Sequence, residues 1–257
     1  MKWSADGYIL SVKSHGETST IIHVLTKAYG RHAGMVRGGR SRRLRPVLQP
    51  GNHVSVTWNA RLSEHLGIFS VEAIDARAAI FMQDRASLAG LNAISALCMQ
   101  ALPEREPHPK LYEIFEIFLA QLHDYDVWPA LYVRFEMALL DALGYGLDLS
   151  TCAATGTTEN LTHVSPRSGR AVCADAAQPY LDKLLVLPPF LNGENTIGPG
   201  DIAAGLALTG AFLTSRVFYS QNRNMPEARS RLLEMINQIF PPSYLGVLSK
   251  PTSPFDP

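Results

Sequence analysis

Residues 27–50, KAYGRHAGMVRGGRSRRLRPVLQP, hold seven Lys or Arg side chains and not one Asp or Glu. Arg40, Arg42, Arg43 and Arg45 follow the pair Gly38-Gly39 almost at once. A guanidinium is a rigid fork of donors matched to phosphate geometry, so the chemistry on offer is capture of a polyanion. DNA and RNA phosphates are the first candidates, and a membrane phosphate surface is the weaker one. Like charges this dense repel, and the loop is expected to be mobile until an anion quiets it. A run of charge is often no more than a solvated face. Three features weigh against that: the missing acids, the glycines and the strand-like context. Lys13, Lys27, Arg31 and Arg37 extend the patch along flanking strands. The candidate DNA-binding set is therefore Lys13, Lys27, Arg31, Arg37, Arg40, Arg42, Arg43 and Arg45. Tyr8, Tyr29, Trp58 and Phe69 offer faces on which bases can stack, although the core also claims such residues, Trp58 first among them. No base-reading motif accompanies them, so binding is expected to follow the backbone and to depend on salt.

Other groupings carry less. Cys152 and Cys173 bracket His163 in a Gly-rich stretch. A structural zinc takes four Cys or His ligands, usually as two close pairs. Here each cysteine lacks its near partner, in Cys152-Ala-Ala-Thr155 and Cys173-Ala-Asp-Ala176, so packed or free thiols are expected. Cys98 falls within a helical pattern and reads as core. His123, Asp124 and Asp126 can be drawn as a metal site but sit at a helix end, where capping accounts for them. No G-x-S-x-G, Walker A, H-E-x-x-H or G-x-G-x-x-G motif is present, and no enzyme is expected. Tyr112, Phe115, Phe118, Trp128, Tyr132 and Phe135 are mostly core, and some can line a groove for a partner's peptide. Arg134 and Arg216 are candidates to meet an acidic tail.

The 257 residues carry no formal net charge, which by itself argues against a nucleic-acid binder. The total hides a split: residues 1–80 hold 11 basic against 5 acidic side chains, and residues 81–257 hold 12 against 18. Opposite signs suggest different partners for the two parts. No apolar run reads as a bilayer span, and the N-terminal stretch has no signal-peptide core. An odd count of three cysteines fits a reducing compartment.

The elements that must position these residues change character near residue 80. Before it, short β-branched runs end in glycine-bearing turns: residues 8–12, 20–25, 33–36, 53–58 and 67–74. Five short strands suggest a small closed barrel of the oligonucleotide-binding (OB) kind. An SH3-like barrel reads almost the same. Beyond it lie helices: one capped by Asp84 and ended by Pro103, one over 111–122, and one with Pro129 in its first turn. Residues 104–109 read as a linker and 147–174 as an irregular insert. Further helices are expected over 176–187, 202–219 and 226–240. The fold class is α+β, with domains at 1–80 and 81–245 and a flexible tail at 246–257.

In order and spacing, several segments resemble the bacterial RecO family of recombination mediators. They are Gly7-Tyr8-Ile9-Leu10, His15-Gly16-Glu17-Thr18-Ser19, Gly38-Gly39-Arg40 with its arginines, and Leu48-Gln49-Pro50. Leu111-Tyr112-Glu113, Arg134-Phe135-Glu136, Leu143-Gly144-Tyr145 and Ser165-Pro166-Arg167-Ser168-Gly169-Arg170 continue the likeness, over roughly residues 5–240. The resemblance implies an OB barrel followed by a helical domain with a zinc-finger-like insert. It implies binding of single- and double-stranded DNA, annealing of complementary strands, and loading of a recombinase onto coated single strands. Implied partners are RecR, the tail of the single-strand-binding protein and, indirectly, RecA. The implied location is cytoplasmic and nucleoid-associated, without membrane. Some family members carry a four-cysteine zinc site. This chain keeps only Cys152 and Cys173 of it, with Thr155 or Gly156 and Ala176 where the others would stand, so no cofactor is expected. Two other readings remain open: an RNA-binding or translation-associated barrel protein, and an interaction adaptor that binds no nucleic acid.

Overall fold

A computed structural model describes residues 1–239 apart from Asn195 and Pro199. The tail expected at 246–257 lies outside the described residues. Strands come first: β1 (Lys2–His15), β2 (Ser19–Thr26), β3 (Gly30–Val36), β4 (His53–Asn59) and β5 (Ile68–Asp75). They close into a barrel in the order β1-β2-β3-β5-β4, with β4 returning to β1. Every pairing is antiparallel except β3 with β5. Strand β4 shows the expected period of two: Val54, Val56 and Trp58 enter the core between half-exposed His53, Ser55 and Thr57. Ile9, Ile22, Val24, Val36 and Phe69 fill the rest.

Strand β1 is longer than residues 8–12. Its first part, Lys2 to Asp6, pairs only with β4 and alternates exposed and half-buried side chains, a weak hydrophobic signal. From Gly7 to Leu10 all four residues are buried, because one face meets the barrel core and the other lies under helices. A register shift between Ile9 and Ser11 marks the change.

Helices follow: α1 (Ala78–Phe81), α2 (Arg85–Ala101), α3 (Pro109–Gln121) and α4 (Trp128–Ala142). Asp84 caps α2 as expected, accepting the Ser87 N–H at 2.6 Å. Pro129 sits in the first turn of α4, and Gly144 follows its end at φ 81°. The six helical aromatics named above are all buried, five of them completely or nearly so, and they form core rather than a groove. Tyr8 joins barrel to helix: its ring lies 5.7 Å from Phe115, and its hydroxyl donates to Glu116 at 3.0 Å.

The expected linker at 104–109 is not free, and its last residue, Pro109, already begins α3. The Arg105 N–H donates to the Arg31 carbonyl at 2.8 Å, and Arg31 bridges in parallel to Glu104. Gly30 permits this approach. Its φ is 61°, and a Cβ there would stand 1.9 Å from the Glu106 carbonyl oxygen.

The insert is more regular than expected. Strands β6 (Leu161–Val164) and β7 (Ala171–Cys173) pair antiparallel, and β8 (Leu185–Val186) adds to the other side of β6. The helix expected over 176–187 is only α5 (Ala174–Ala177) plus a 3₁₀ turn, Gln178–Lys183, broken at Tyr180. The reason is that Leu185 and Val186 are taken up by β6. Two helices remain, α6 (Asp201–Phe212) and α7 (Glu227–Ile239). Beyond α6 the chain continues helically, widening to a π turn at Leu213–Phe218 and tightening at Tyr219–Gln221. This corrects the expectation that no stretch has the length and hydropathy of a bilayer span: Asp201–Gln221 has both. Half of it is buried within the protein, including Leu206, Leu208, Phe212, Leu213, Val217 and Phe218, as befits a core helix.

The chain packs as two compact units. One comprises Met1–Leu147 with Ala211–Leu232, and the other Asp148–Gly210 with the described residues from Leu233. Within the first, fully buried Glu136 accepts from Arg229 Nε at 2.6 Å and Nη2 at 2.9 Å. In the second, Arg170 Nε donates to Asp148 at 3.2 Å.

Candidate nucleic-acid interface

The arginine loop is tied to the barrel by both apolar and polar contacts. Leu44 and Leu48 drop from it into the barrel core. Burying a leucine side chain is worth about 1.5–3 kcal/mol, enough for two of them to offset much of the repulsion among exposed neighbours. Polar ties add to this. The Leu48 N–H donates to Leu44 O at 2.8 Å, and the buried Asn52 amide donates to Pro46 O and Val47 O, both at 2.9 Å. Asn52 Oδ1 accepts the Ala78 N–H at 2.9 Å, linking the loop to α1. Arg40 clasps the β1–β2 turn, donating from Nη1 to Glu17 O at 2.9 Å and from its backbone N–H to Thr18 O at 3.0 Å.

The apolar residues of the loop point in, and its cations stay out. Arg37, Arg40, Arg42, Arg43 and Arg45 are exposed. Arg40 and Arg45 line a polar cleft of about 490 Å³ with Ser14, Thr20 and Gln49. Gly39 forms part of its wall, where a Cβ would stand 2.1 Å from Thr20 Oγ1. Among the described residues, Lys13, Arg37, Arg42, Arg43 and Arg45 have no carboxylate within ion-pair distance.

The eight predicted cations do not form one face. Lys13 alternates with Val12 and Ser14, both of which line the cleft, so its side chain leaves the opposite side of β1. Lys27 lies in the β2–β3 turn, at the other end of β2 from the turn that Arg40 clasps, and pairs with Glu113 at 2.7 Å. Arg31 is mostly covered, its side chain 11% exposed. It donates to Leu102 O and to Glu104 Oε1, each at 3.1 Å, and so fastens the segment after α2 to the barrel.

A second cleft, also about 490 Å³, opens where β1 begins, between the β2–β3 turn and the β4–β5 loop. Trp3 and Tyr29 stack there with ring centroids 4.1 Å apart and planes 14° apart. Trp58 lies behind Trp3 at 5.9 Å, with the Arg105 guanidinium 5.9 Å from its ring centroid. Arg105 anchors the β4–β5 loop by donating to the Ser63 and His65 carbonyls, the latter at 2.8 Å. His32 sits beneath, edge-on to Trp3 and Trp58. Its burial pushes the imidazole below its ordinary pKa, with the Arg105 charge adding to the effect. Of the four aromatics proposed for stacking, Tyr8, Trp58 and Phe69 are buried in packing. Only Tyr29 stays half-exposed, and its partner is Trp3, which the strand reading missed. The alternation of Lys2 to Asp6 was the signal that could have found it.

In the insert, Cys152 and Cys173 are buried with their sulfurs 3.4 Å apart. The Cys173 N–H donates to Cys152 Sγ at 3.2 Å, and Thr155 Oγ1 lies 3.7 Å from Cys173 Sγ. Burial pushes the Cys152 thiol up, but bonds from the Thr155 hydroxyl and nearby amides outweigh it and bring the thiol below its ordinary range. Among the described residues no three of His, Cys, Asp or Glu gather as a metal site, and His163 bonds instead with Thr162 Oγ1 at 3.0 Å. Two thiols and a neutral hydroxyl do not make up the set that zinc takes. Nor do His123, Asp124 and Asp126: the Asp124 carboxylate accepts the Asp126 N–H at 3.0 Å, and its carbonyl accepts the Trp128 N–H at 2.9 Å.

Comparison with known proteins accounts for both parts of the chain. Residues 1–77 match the family model "Recombination protein O N terminal", and residues 82–224 match "Recombination protein O C terminal". The DNA repair protein RecO of Phenylobacterium zucineum is 48% identical over 239 residues, covering 93% of this chain and 98% of that protein. The DNA repair protein RecO of Methylobacterium nodulans is 49% identical over 235 residues, covering 89% and 95%. That of a Ruegeria species is 47% identical over 237 residues, covering 92% and 98%. Matched in both halves by family models and aligned nearly end to end with such relatives, this chain belongs to the RecO family.

Proposed function

We propose that the chain is a DNA-repair protein that works by binding rather than by chemistry, as a recombination mediator. Relatives bearing the name DNA repair protein RecO support the first part. The observation that carries the rest is the anchored loop: Arg42, Arg43 and Arg45 are exposed, Arg45 lines the polar cleft, and among the described residues none of the three has a carboxylate within ion-pair distance. Phosphates of either a single or a double strand meet those arginines. Neutralised strands repel less, and annealing follows from that. The Trp3–Tyr29 cleft takes unpaired bases, which duplex DNA does not present, and so adds affinity for single strands. On this reading Lys27 and Arg31 serve structure, while Arg37 and the loop arginines serve DNA. The remaining family roles extend the proposal: contact with RecR and with the tail of the single-strand-binding protein, help in loading RecA, and action at the nucleoid.

The test is binding of single-stranded and duplex DNA across a salt series. Replacing Arg42, Arg43 and Arg45 with Gln leaves the Arg40 clasp intact. It should weaken both kinds of binding and flatten the slope of log K against log salt by about 0.7–0.9 for each phosphate no longer neutralised. Trp3→Ala should weaken single-strand binding alone, by about 1–3 kcal/mol. Binding indifferent to salt would sink the phosphate assignment. Tighter binding of RNA than of DNA would favour the RNA-binding reading.

A further inference from the structure

We propose that Cys152 and Cys173 form a reversible dithiol–disulfide site oxidised by hydroperoxides, in place of a zinc-binding set. The two sulfurs stand 3.4 Å apart, and neither belongs to a disulfide. A disulfide needs about 2.05 Å, so closure asks for an approach of roughly 1.3 Å, within reach of small torsional changes in two short side chains. The backbone already brings them together. Cys173 ends β7, and its N–H donates to Cys152 Sγ at 3.2 Å. The Ala153 N–H donates to Ala171 O at 2.7 Å, which ties the Cys152 segment to the same strand. Residues 153–156, which follow Cys152 directly, form an exposed turn, and Cys173 itself keeps 6% of its surface exposed. Cys98 provides the contrast: it is fully buried in α2, and burial holds its thiol far above the ordinary range.

The chemistry balances with hydrogen peroxide as oxidant. The Cys152 thiolate attacks one peroxide oxygen. The O–O bond breaks, an S–O bond forms, and the hydroxide that leaves becomes water with the proton that the Cys152 thiol released. The Cys173 sulfur then attacks Cys152 Sγ. The S–S bond forms, the S–O bond breaks, and the departing hydroxide leaves as water with the Cys173 proton. Two thiols and one peroxide become one disulfide and two waters, and two electrons pass from sulfur to oxygen. Dithiothreitol reverses the step by thiol–disulfide exchange. The bond would close a span of 21 positions and staple the small sheet of β6, β7 and β8 without a metal.

The experiment uses the full chain, reduced and then exposed to hydrogen peroxide, with thiols alkylated after denaturation. Accessible thiols should fall from three to one, and mass spectrometry should recover a peptide pair joined at Cys152 and Cys173. Dithiothreitol should restore all three. Cys98→Ser should still lose two thiols. Cys173→Ser should lose the crosslink and leave a sulfenic acid on Cys152 that dimedone traps. The wild-type measurement stands by itself if that variant does not fold. Three surviving thiols, bonds between chains, or stoichiometric zinc released from the reduced chain on thiol blocking would each overturn the proposal.

Discussion

His32 and His23 are placed where protonation works against folding. His32 lies beneath the aromatic cleft, 3% exposed, with Nδ1 2.9 Å from the Ala33 carbonyl oxygen. Burial lowers its pKa in the folded barrel. His23 is lowered by burial and then by the Arg31 charge, with Glu104 at 3.5 Å opposing. Unfolded, each titrates at about 6.5. The unfolded chain therefore binds more protons through this window, and stability rises with pH across it. The contribution is fully present above about 6.5 and is lost as pH falls through the folded values. The urea midpoint should drop between pH 7.5 and 5.5, and His32→Gln should flatten that slope. An unchanged slope would mean that the imidazole is as accessible to protons in the fold as in the unfolded chain.

The basic loop is an element whose charge was legible and whose anchoring was not. Seven cations without an acid can be read from residue names. That Leu44 and Leu48 sit in the barrel core depends on where the strands place the opening they fill. Leu48→Ala should cost about 2–5 kcal/mol, as for other buried leucines. It should also speed tryptic cutting after Arg42 or Arg43 well before the rest of the chain is cut. Strand β4 could be read in advance because its period of two reports one buried face. The insert strands could not: β7 is three residues and β8 two, too short for any period to show. Just past β8, the Leu187 N–H donates to the Thr162 carbonyl at 2.9 Å and extends that pairing by one more backbone bond.

For the whole molecule, the change from strands to helices near residue 80 does not separate two independent bodies. Tyr8, Lys27 and Arg31 each reach from the barrel to residues beyond 100. A fragment of residues 1–77 would uncover Tyr8, lose the Glu104 and Leu102 partners of Arg31, and free the β4–β5 loop from Arg105. It should melt well below the full chain or self-associate, as circular dichroism and size-exclusion chromatography can measure. A fragment that melts with the full chain would show these ties to be unimportant to the barrel. Residues 211–232 likewise pack with the unit that holds the barrel, far from their place in the chain.

By itself, the sequence determined the barrel's alternation, the helix starts at Asp84 and Pro129, the charge split and the family. Each of these is local or is a matter of order along the chain: a period, a cap, a ring that fixes φ, a string of motifs. Tertiary structure decided which chemical groups are available. It assigned Lys27 to Glu113 and Arg31 to Glu104, took Trp58 and Phe69 into the core, brought Trp3 to Tyr29, and set Cys152 beside Cys173. These are matters of which side chains meet across long separations, and residue identity carries no record of that until the strands have paired.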